Sequence, residues 1–378
     1  MSALITGMGA NCSIGADRVA TFDALCAGRT GLAPLRGFDR ANFRARNAYE
    51  IDDRPAPGTD RPLRPTRWLL AAVAEALADA GLPEDLTGIP VIVGTTLREL
   101  RSAELNWCDG APLDPADLHF GTALRRRFGA DRTYTVANAC AASLYALGMA
   151  VDLLDLREAE TVVVAGADTI TESTYGMLDR VYQKPPESVL PFDRGRRGML
   201  QGDGAAAVVL RREPGAGRRP HARVRGVGVN CDAHHPSAPD VDSIGRVMRD
   251  AHARAGVKPA DIDLVLLHGT GTPHNDAAEA QALVDVFARV DTAPRMTAIK
   301  SMIGHTAGAS GLHSLITAVQ SLDSGRVPPT LGLADPIDEM AGFRLGPEAA
   351  LDPELSLAQI DSFGFGGLNA VAVVEKVA

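Results

Sequence analysis

Cys140 lies between a short β-type run, TYTVANA, and a long apolar helical run, AASLYALGMAVDLL. A thiol in the first turn of a helix faces unpaired backbone N–H groups and the positive end of the helix dipole. Both favour the thiolate, the form in which sulfur is a nucleophile. The neighbours Ala139, Ala141, Ala142 and Ser143 are small, so a sharp strand-to-helix turn could present the sulfur to a substrate. The same segment also fits a buried core cysteine, the commoner fate of a free thiol.

Two histidine segments shift that balance. DLVLLHGTGTP reads as a buried strand running into a Gly/Thr loop, with His268 at the strand end. TAIKSMIGHTAGASG reads as a strand ending near Lys300, then a glycine-rich turn carrying His305, then the helix LHSLITAVQSL. One histidine at a strand end is ordinarily structural. Two of them on glycine-flanked loops, with a cysteine at a third such junction, point to one shared site, because functional residues gather where strand C-termini meet loops in layered α/β folds.

The elements that must position these groups repeat along the chain. LITGMGANCS near the start is echoed by VRGVGVNCDA at 224–233, and WLLAAVAEALADAGLPEDLTGIPVIVGTTL at 68–97 by VMRDAHARAGVKPADIDLVLLHGTGT at 247–272. TYTVANACAASLYALGMAVDLL takes the place that MTAIKSMIGHTAGASGLHSLITAVQSL fills later. ETVVVAGAD with its following AAAVVL strand parallels IDSFGFGGLNAVAVVEK. This is the pattern of an internal duplication. Short apolar strands alternating with helices imply mixed sheets buried on both faces. Two halves, 1–212 and 221–378, joined by the Pro/Gly/Arg-rich linker 211–221, would pack helix against helix into a five-layered α-β-α-β-α body. Packed about a pseudo-two-fold axis, the helix start at Cys140 would face the helix start after His305, with His268 reaching the same cavity.

Composition bounds the rest. The chain has 378 residues, 46% hydrophobic and 22% charged, with ample material for a core. No apolar run reaches membrane-spanning length, and MSALITGMGANCSIG reads as a first core strand, not a signal peptide. Five cysteines without a CxxC pair point to a reducing cytoplasm, with Cys12, Cys26, Cys108 and Cys231 as structural residues. The net charge of −9 argues against a nucleic-acid partner. A Cys/His/His set could ligate zinc, but the strand-end positions and the glycine-rich GFGG segment have no use in a structural zinc site. No metal is expected.

The chain resembles the elongating β-ketoacyl-acyl carrier protein synthases, ketosynthases of the thiolase-fold condensing enzymes. The resemblance is carried, in order, by VANACAASLYALG around Cys140, PFDRGRRGMLQGDGAAAVVL at 191–210, HGTGTPHNDAAEAQAL from His268, IKSMIGHTAGASG from Lys300 and DSFGFGGLNA at 361–370. It implies the thiolase-like five-layered fold and a decarboxylative Claisen condensation. Cys140 would take an acyl group from a carrier thioester, with the backbone N–H groups of Cys140 and Phe365 as oxyanion hole. His268 and His305 would stabilise the enolate left by a malonyl-type thioester. Lys300 would support their loop, although a salt bridge to Glu279 or Asp276 fits it as well. Asp276 and Glu279 themselves suit the positive start of the following helix. Substrate contacts are implied at Ala103, Thr270, Thr272, Phe363 and Phe365; the two phenylalanines also fit core packing.

The implied partner is an acyl carrier protein that brings its substrates on phosphopantetheine, with no dissociable cofactor. Docking patches are expected at Arg64 and Arg67 and at Arg125, Arg126 and Arg127, although solvated helix faces suit these arginines too. Asp193 and Asp203 read as organisers beneath the site, and His234-His235 as a loop. The family also implies a dimer, either of two copies or with a ketosynthase-like partner.

Several features depart from the family. The stretch between GTTLREL and TVANAC is short, and Ala103 stands where a bulkier pocket residue is usual, which implies a more open acyl pocket. Ser314 stands where some fatty-acid synthases carry Glu. A free-standing ketosynthase of polyketide or specialised fatty-acid biosynthesis fits best, against housekeeping fatty-acid elongation. Thiolases are disfavoured because the C-terminal glycine-rich segment lacks a second cysteine, and initiating ketosynthases because His268 and His305 replace the His/Asn pair. A non-catalytic chain-length-factor-like partner is disfavoured by Cys140. An acyltransferase or cyclase that uses the acyl-cysteine without elongation stays open.

Overall fold

A computed structural model describes residues 3–56, 59–215, 217–290 and 292–377. Residues 1, 2 and 378, at the ends of the two expected halves, and 216 in the linker lie outside it. The first half runs β1 (Ala3–Cys12), α1 (Arg64–Ala80), β2 (Val91–Gly94), α2 (Leu100–Asp109), α3 (Phe120–Phe128), β3 (Thr133–Val136), α4 (Ala142–Asp155), β4 (Thr161–Asp168), α5 (Glu172–Val181) and β5 (Gly204–Arg211). The second runs β6 (Ala222–Cys231), α6 (Val241–Ala255), β7 (Leu264–Leu266), α7 (Pro273–Phe287), β8 (Arg295–Thr297), α8 (Ser310–Ser324), a short edge strand β9 (Arg344–Leu345), β10 (Leu357–Gly364) and β11 (Leu368–Lys376). The segment between β5 and β6, residues 212–221, is the stretch the sequence reading takes as the linker.

Strand order shows the duplication directly. The first half reads β1-β5-β4-β2-β3 and the second β6-β11-β10-β7-β8, the same order, with β9 added at the far edge. The second strand of each closing hairpin is antiparallel to the first, β5 to β4 and β11 to β10. The helices α1 and α6 both end in Ala-Gly, with Gly81 and Gly256 at φ of +66° and +67°. That left-handed position terminates a helix at little cost only when the residue is glycine.

The two sheets of the five-layered body are joined to one another. Ala3–Ile5 of β1 pairs antiparallel with 222–224 of β6, so eleven strands form one hydrogen-bonded series that turns at this three-residue seam. A pseudo-two-fold between β1 and β6 brings the two first strands together at their starts. The five layers follow from side-chain alternation along each strand. On one face, Val162 and Val164 of β4 and Leu264 and Leu266 of β7 join Leu144, Leu147, Leu312, Leu315 and Ile316 in a core built around α4 and α8. On the other face, Val163 and Ala165 pack on Leu69, Val73 and Leu77 of α1. Val265 and Leu267 pack on Met248 of α6 and Leu283 of α7. The near-total burial of α8 follows from its place between two sheets. At its start, a side chain on Gly311 would come within 2.6 Å of Leu144, so the two central helices cross at closest approach there.

Candidate active site

The two central helices begin with the same device. A 3₁₀ turn, Ala139–Ala141 in one half and Ala307–Ala309 in the other, precedes each helix. It opens on an alanine held at positive φ, +47° for Ala139 and +46° for Ala307. An L-residue in the left-handed region costs about 1–2 kcal/mol, so each turn must be held by its surroundings. Cys140 follows Ala139. Its carbonyl accepts the Ser362 hydroxyl of β10 at 2.8 Å. Gly364 lies beneath it, so close that a Cβ there would stand 3.2 Å from the Cys140 nitrogen. In the second half Gly308 takes the place equivalent to Cys140. A side chain there would meet the Thr95 backbone at 2.5 Å, and its N–H instead donates to Asp168 at 2.7 Å.

His268 stands just past β7 in a loop clamped by the helix that follows it. Glu279 accepts the N–H groups of His268 and Gly269 at 2.7 and 2.9 Å. Asp276 accepts those of Thr270, Gly271 and Phe192 at 3.0, 3.1 and 2.8 Å. The two acids therefore turn back onto the loop, a more specific task than complementing the helix start. Lys300 bonds neither of them. Its ammonium donates to the His268 carbonyl at 2.5 Å and lies 3.4 Å from His268 Nδ1.

His305 is carried on a turn that the first half of the chain holds in place. Its N–H donates to the Leu200 carbonyl at 2.9 Å and its carbonyl accepts the Gly202 N–H at 3.0 Å. This gives the LQGDG segment its use. Asp203 in that segment accepts Thr169, Ile170 and Ile51, and Asp193 accepts Gly195, Ala334 and Asp335. Both are organisers, as expected.

The Cys140 sulfur and one ring nitrogen of each histidine lie within 4.8 Å of one another. The two imidazoles stand edge to face, centroids 5.5 Å apart, and Phe363 covers His268 at 5.8 Å. Hydrogen-bond partners decide which ring nitrogen carries the proton. Lys300 donates toward Nδ1 of His268, and the Ala307 N–H donates to Nδ1 of His305 at 3.0 Å. Each Nδ1 is thus occupied from outside, and Nε2 of His305 is buried with no hydrogen-bond partner among the described residues. Burial, with the Lys300 charge added, holds both imidazoles well below their usual range, so they are neutral.

The thiol departs from expectation. Cys140 is 9% exposed, and burial pushes it up to about 11. The Lys300 ammonium and the N–H groups of Phe365 and of Cys140 itself pull the other way but do not prevail. The helix start therefore does not leave a resting thiolate, because desolvation exceeds it. The same two N–H groups directed at sulfur are those the resemblance assigns to an oxyanion hole. Phe365 itself is 46% exposed, at the mouth of the site, whereas Phe363 is buried.

Other expected residues divide. Thr270 is buried in the clamped loop, its hydroxyl 2.9 Å from that of Thr272, and Thr272 caps α7 by accepting the Asn275 N–H. Ala103 is half-buried on α2, whose side-chain bonds run to Asp60, Gly37 and Glu172 and not to the cysteine cluster. Arg64 is not a docking residue. It is 1% exposed, paired with Asp53 at 2.7 Å and Asp203 at 3.3 Å and stacked over Trp68. Arg67, Arg125, Arg126 and Arg127 are exposed. Arg126 bonds Asp117 at 2.6 Å, and Arg127 pairs with Glu84. His235 caps its own exposed loop, accepting from Ser237 and Ala238.

Sequence reasoning missed several groups around the cluster. Asp168 is fully buried and raised by burial to about 6 although four donors face it: Thr95, Thr96, Leu97 and Gly308. Asp361 is buried beside Gln359, which in turn meets His252 at 2.6 Å. Ser310, Thr306 and His313 form a chain behind His305. HTAGASGLHS displayed these hydroxyls, but only the turn geometry decides which way they face.

Residues 127–216 match the family model described as beta-ketoacyl synthase, N-terminal domain, and residues 221–334 match the beta-ketoacyl synthase, C-terminal domain. The chain is 26% identical to 3-oxoacyl-[acyl-carrier-protein] synthase 2 of Coxiella burnetii, over 99% of this chain and 98% of that protein. It is 28% identical to nodulation protein E of Rhizobium meliloti, over 99% of each. Among solved structures, the ishigamide ketosynthase/chain length factor superposes with a TM-score of 0.90 at 32% identity, covering 100% of this chain and 99% of that one.

Proposed function

The chain belongs to the β-ketoacyl synthase family, and from that premise we propose that it catalyses decarboxylative condensation of an acyl thioester, held on Cys140, with a malonyl-type thioester on an acyl carrier protein. It is an acyltransferase-class condensing enzyme. The observation that carries the fuller reading is the meeting of one sulfur with two neutral imidazoles whose outer nitrogens are already engaged.

In the first half-reaction the Cys140 sulfur attacks the carbonyl carbon of the incoming thioester. The carbon–sulfur bond to the carrier's pantetheine breaks, and the thiol proton ends on the departing thiol. Charge on the carbonyl oxygen falls to the N–H groups of Cys140 and Phe365. Loss of one such donor typically costs about 10²–10³ in rate. In the second half-reaction the malonyl C–C bond breaks, CO₂ leaves, and the electron pair forms an enolate. The Nε2–H groups of His268 and His305 donate to its oxygen, where a carboxylate would repel it. The enolate carbon attacks the acyl carbonyl, the carbon–sulfur bond to Cys140 breaks, and the released thiolate takes a proton from solvent.

The reading needs no dissociable cofactor, and the Lys300 ammonium beside His268 makes the triangle a poor host for a cation. For pathway we favour polyketide or specialised fatty-acid synthesis, supported by the 32% identity to a ketosynthase/chain length factor and by the nodulation-protein relatives. The partners proposed are an acyl carrier protein and a second ketosynthase-like chain, identical or not.

Intact-mass measurement tests this. With acyl- and malonyl-carrier substrates, an acyl adduct on Cys140, CO₂ release and a product two carbons longer are expected. Cys140→Ala should fold and form no adduct. An adduct without decarboxylation would reject elongation in favour of acyl transfer or cyclisation.

A further inference from the structure

His305 can serve the enolate only with its proton on Nε2, and one backbone group settles that. The Ala307 N–H lies 3.0 Å from Nδ1 and can only donate, so Nδ1 must be the acceptor. The other group facing Nδ1 is the Ser310 hydroxyl, also at 3.0 Å, which accepts as readily as it donates and so decides nothing. The donor face of His305 therefore depends on where the Ala307 N–H points.

That N–H turns back onto a side chain only two residues before it, in a turn where Ala307 sits at a φ of +46°. An L-residue does not hold that conformation unaided. The constraint is found one residue on. The Gly308 N–H donates to Oδ2 of Asp168 at 2.7 Å, and a Cβ on Gly308 would meet the Thr95 backbone at 2.5 Å. Asp168 ends β4, in the other half of the chain, and is buried. Three further donors fix its carboxylate: the Thr95 hydroxyl at 2.8 Å, and the Thr96 and Leu97 N–H groups at 2.8 and 2.7 Å. A hydrogen bond from an N–H to an ionised carboxylate is stronger than one between neutral groups, so the fourth bond is well suited to hold a turn.

The first half of the chain shows what that bond replaces. After the left-handed Ala139, the Cys140 N–H is directed at the reacting sulfur. After the left-handed Ala307, the equivalent N–H is captured by Asp168. The same turn offers its N–H to the chemistry in one half and is tied down in the other.

We propose that Asp168 is a positioning residue for His305: by holding the Gly308 N–H it keeps Ala307 left-handed, and so keeps the ring proton of His305 on Nε2. It acts across the duplication, from the first half onto a turn of the second, and only through the backbone of that turn. The tautomer is fixed throughout the reaction. The inference rests on the reading of His305 as a donor to the enolate oxygen.

The test has a readout independent of turnover. In protein labelled with ¹⁵N-histidine, wild-type His305 should give the pure Nε2–H pattern of ring shifts. Asp168→Asn replaces one acceptor oxygen with an N–H₂ group, so the four donors can no longer all be met. Gly308→Ala reaches the same bond from the other side, through the contact with Thr95, and leaves the other three bonds of Asp168 in place. In both variants His305 should lose the pure pattern. CO₂ release from a malonyl thioester, in enzyme acylated beforehand, should slow at least ~10-fold, toward the about 10²–10³ that losing one such donor costs. Acyl transfer onto Cys140 should slow less, because the Asp168 charge is one of the influences that raise the thiol. Adding Ala307→Gly to Asp168→Asn should recover the Nε2–H pattern and most of the rate, since glycine takes a positive φ without constraint. Averaged shifts in the wild type, an unchanged pattern in both variants, or no recovery with glycine would overturn the assignment. Loss of the pattern in both variants of a protein that releases no CO₂ would uphold Asp168 and remove the enolate reading.

Discussion

At Cys140 two opposing effects can be weighed by a single titration. A helix start, two N–H groups and the Lys300 charge favour the thiolate, while burial raises the thiol to about 11. Between pH 7 and 9 the thiolate is then a small fraction that grows about tenfold per pH unit. Alkylation of Cys140 by iodoacetamide, followed by peptide mass spectrometry, should climb through that whole range, and a plateau near neutrality would mean that burial loses. The histidines carry the opposite sign. Their pKa values are lowered, so they stay neutral as pH falls past 6.5. Malonyl-thioester decarboxylation should hold its rate from pH 7 down to 6, and an acid limb centred near 6.5 would reject neutral, proton-donating imidazoles. Cys140, His268 and His305 were legible in the sequence because each sits on a turn or loop that follows a strand, beside glycine or small residues. Arg64 was not. Its charge suggested a surface, but the acids that bury it come from residues near 50–60 and from Asp203, a meeting that only the closed fold creates.

At the scale of elements, the site is built by using one strand–turn–helix device twice and loading it differently. One copy places sulfur after a left-handed alanine. The other leaves Gly308 there and sets its imidazole three residues earlier. The repeat itself was readable from helix ends, strand lengths and glycine positions, because these depend on local chemistry. The seam joining β1 to β6 was not readable, because Ala3–Ile5 and 222–224 contain nothing that distinguishes a sheet edge from a sheet centre. The device depends on glycines that admit close approach. Gly94 ends β2 directly beneath the start of α4, where an added Cβ would stand 2.4 Å from the Ser143 nitrogen and 2.5 Å from the Ala142 carbonyl carbon. Both are backbone atoms, so the helix start itself must move. Gly94→Ala should cost about 1–3 kcal/mol by overpacking, seen as a lower midpoint in urea. It should also slow acylation of Cys140 more than a core substitution of equal cost elsewhere, such as Val286→Ala on α7. Equal slowing in the two variants would mean that the turn is not strained by the shift.

The molecule as a whole leaves β3 uncovered. This strand closes one end of the eleven-stranded series, and Tyr134 on it is 45% exposed. The Arg132 and Val136 carbonyls accept from Val91 and Thr95 on the inner side. Backbone groups alternate along a strand, so those of Thr133 and Thr135 face outward, with no strand beside them among the described residues. Such an edge invites another strand, and a second ketosynthase-like chain offers the same edge. Thr135→Pro removes an outward N–H without touching the bonds to β2, and proline is tolerated at a sheet edge. Sedimentation should show a dimer for the wild type and for Thr135→Val, and a monomer for Thr135→Pro. A proline variant that stays dimeric would place the contact elsewhere. The consequence reaches the chemistry, because Val136 at the end of β3 is only four residues from Cys140, and Cys140 sits in the 3₁₀ turn that follows. A partner strand would brace the segment that sets the nucleophile. The monomeric variant should therefore lose acyl transfer together with its partner, and a fully active monomer would show that the nucleophile turn is held by its own chain alone.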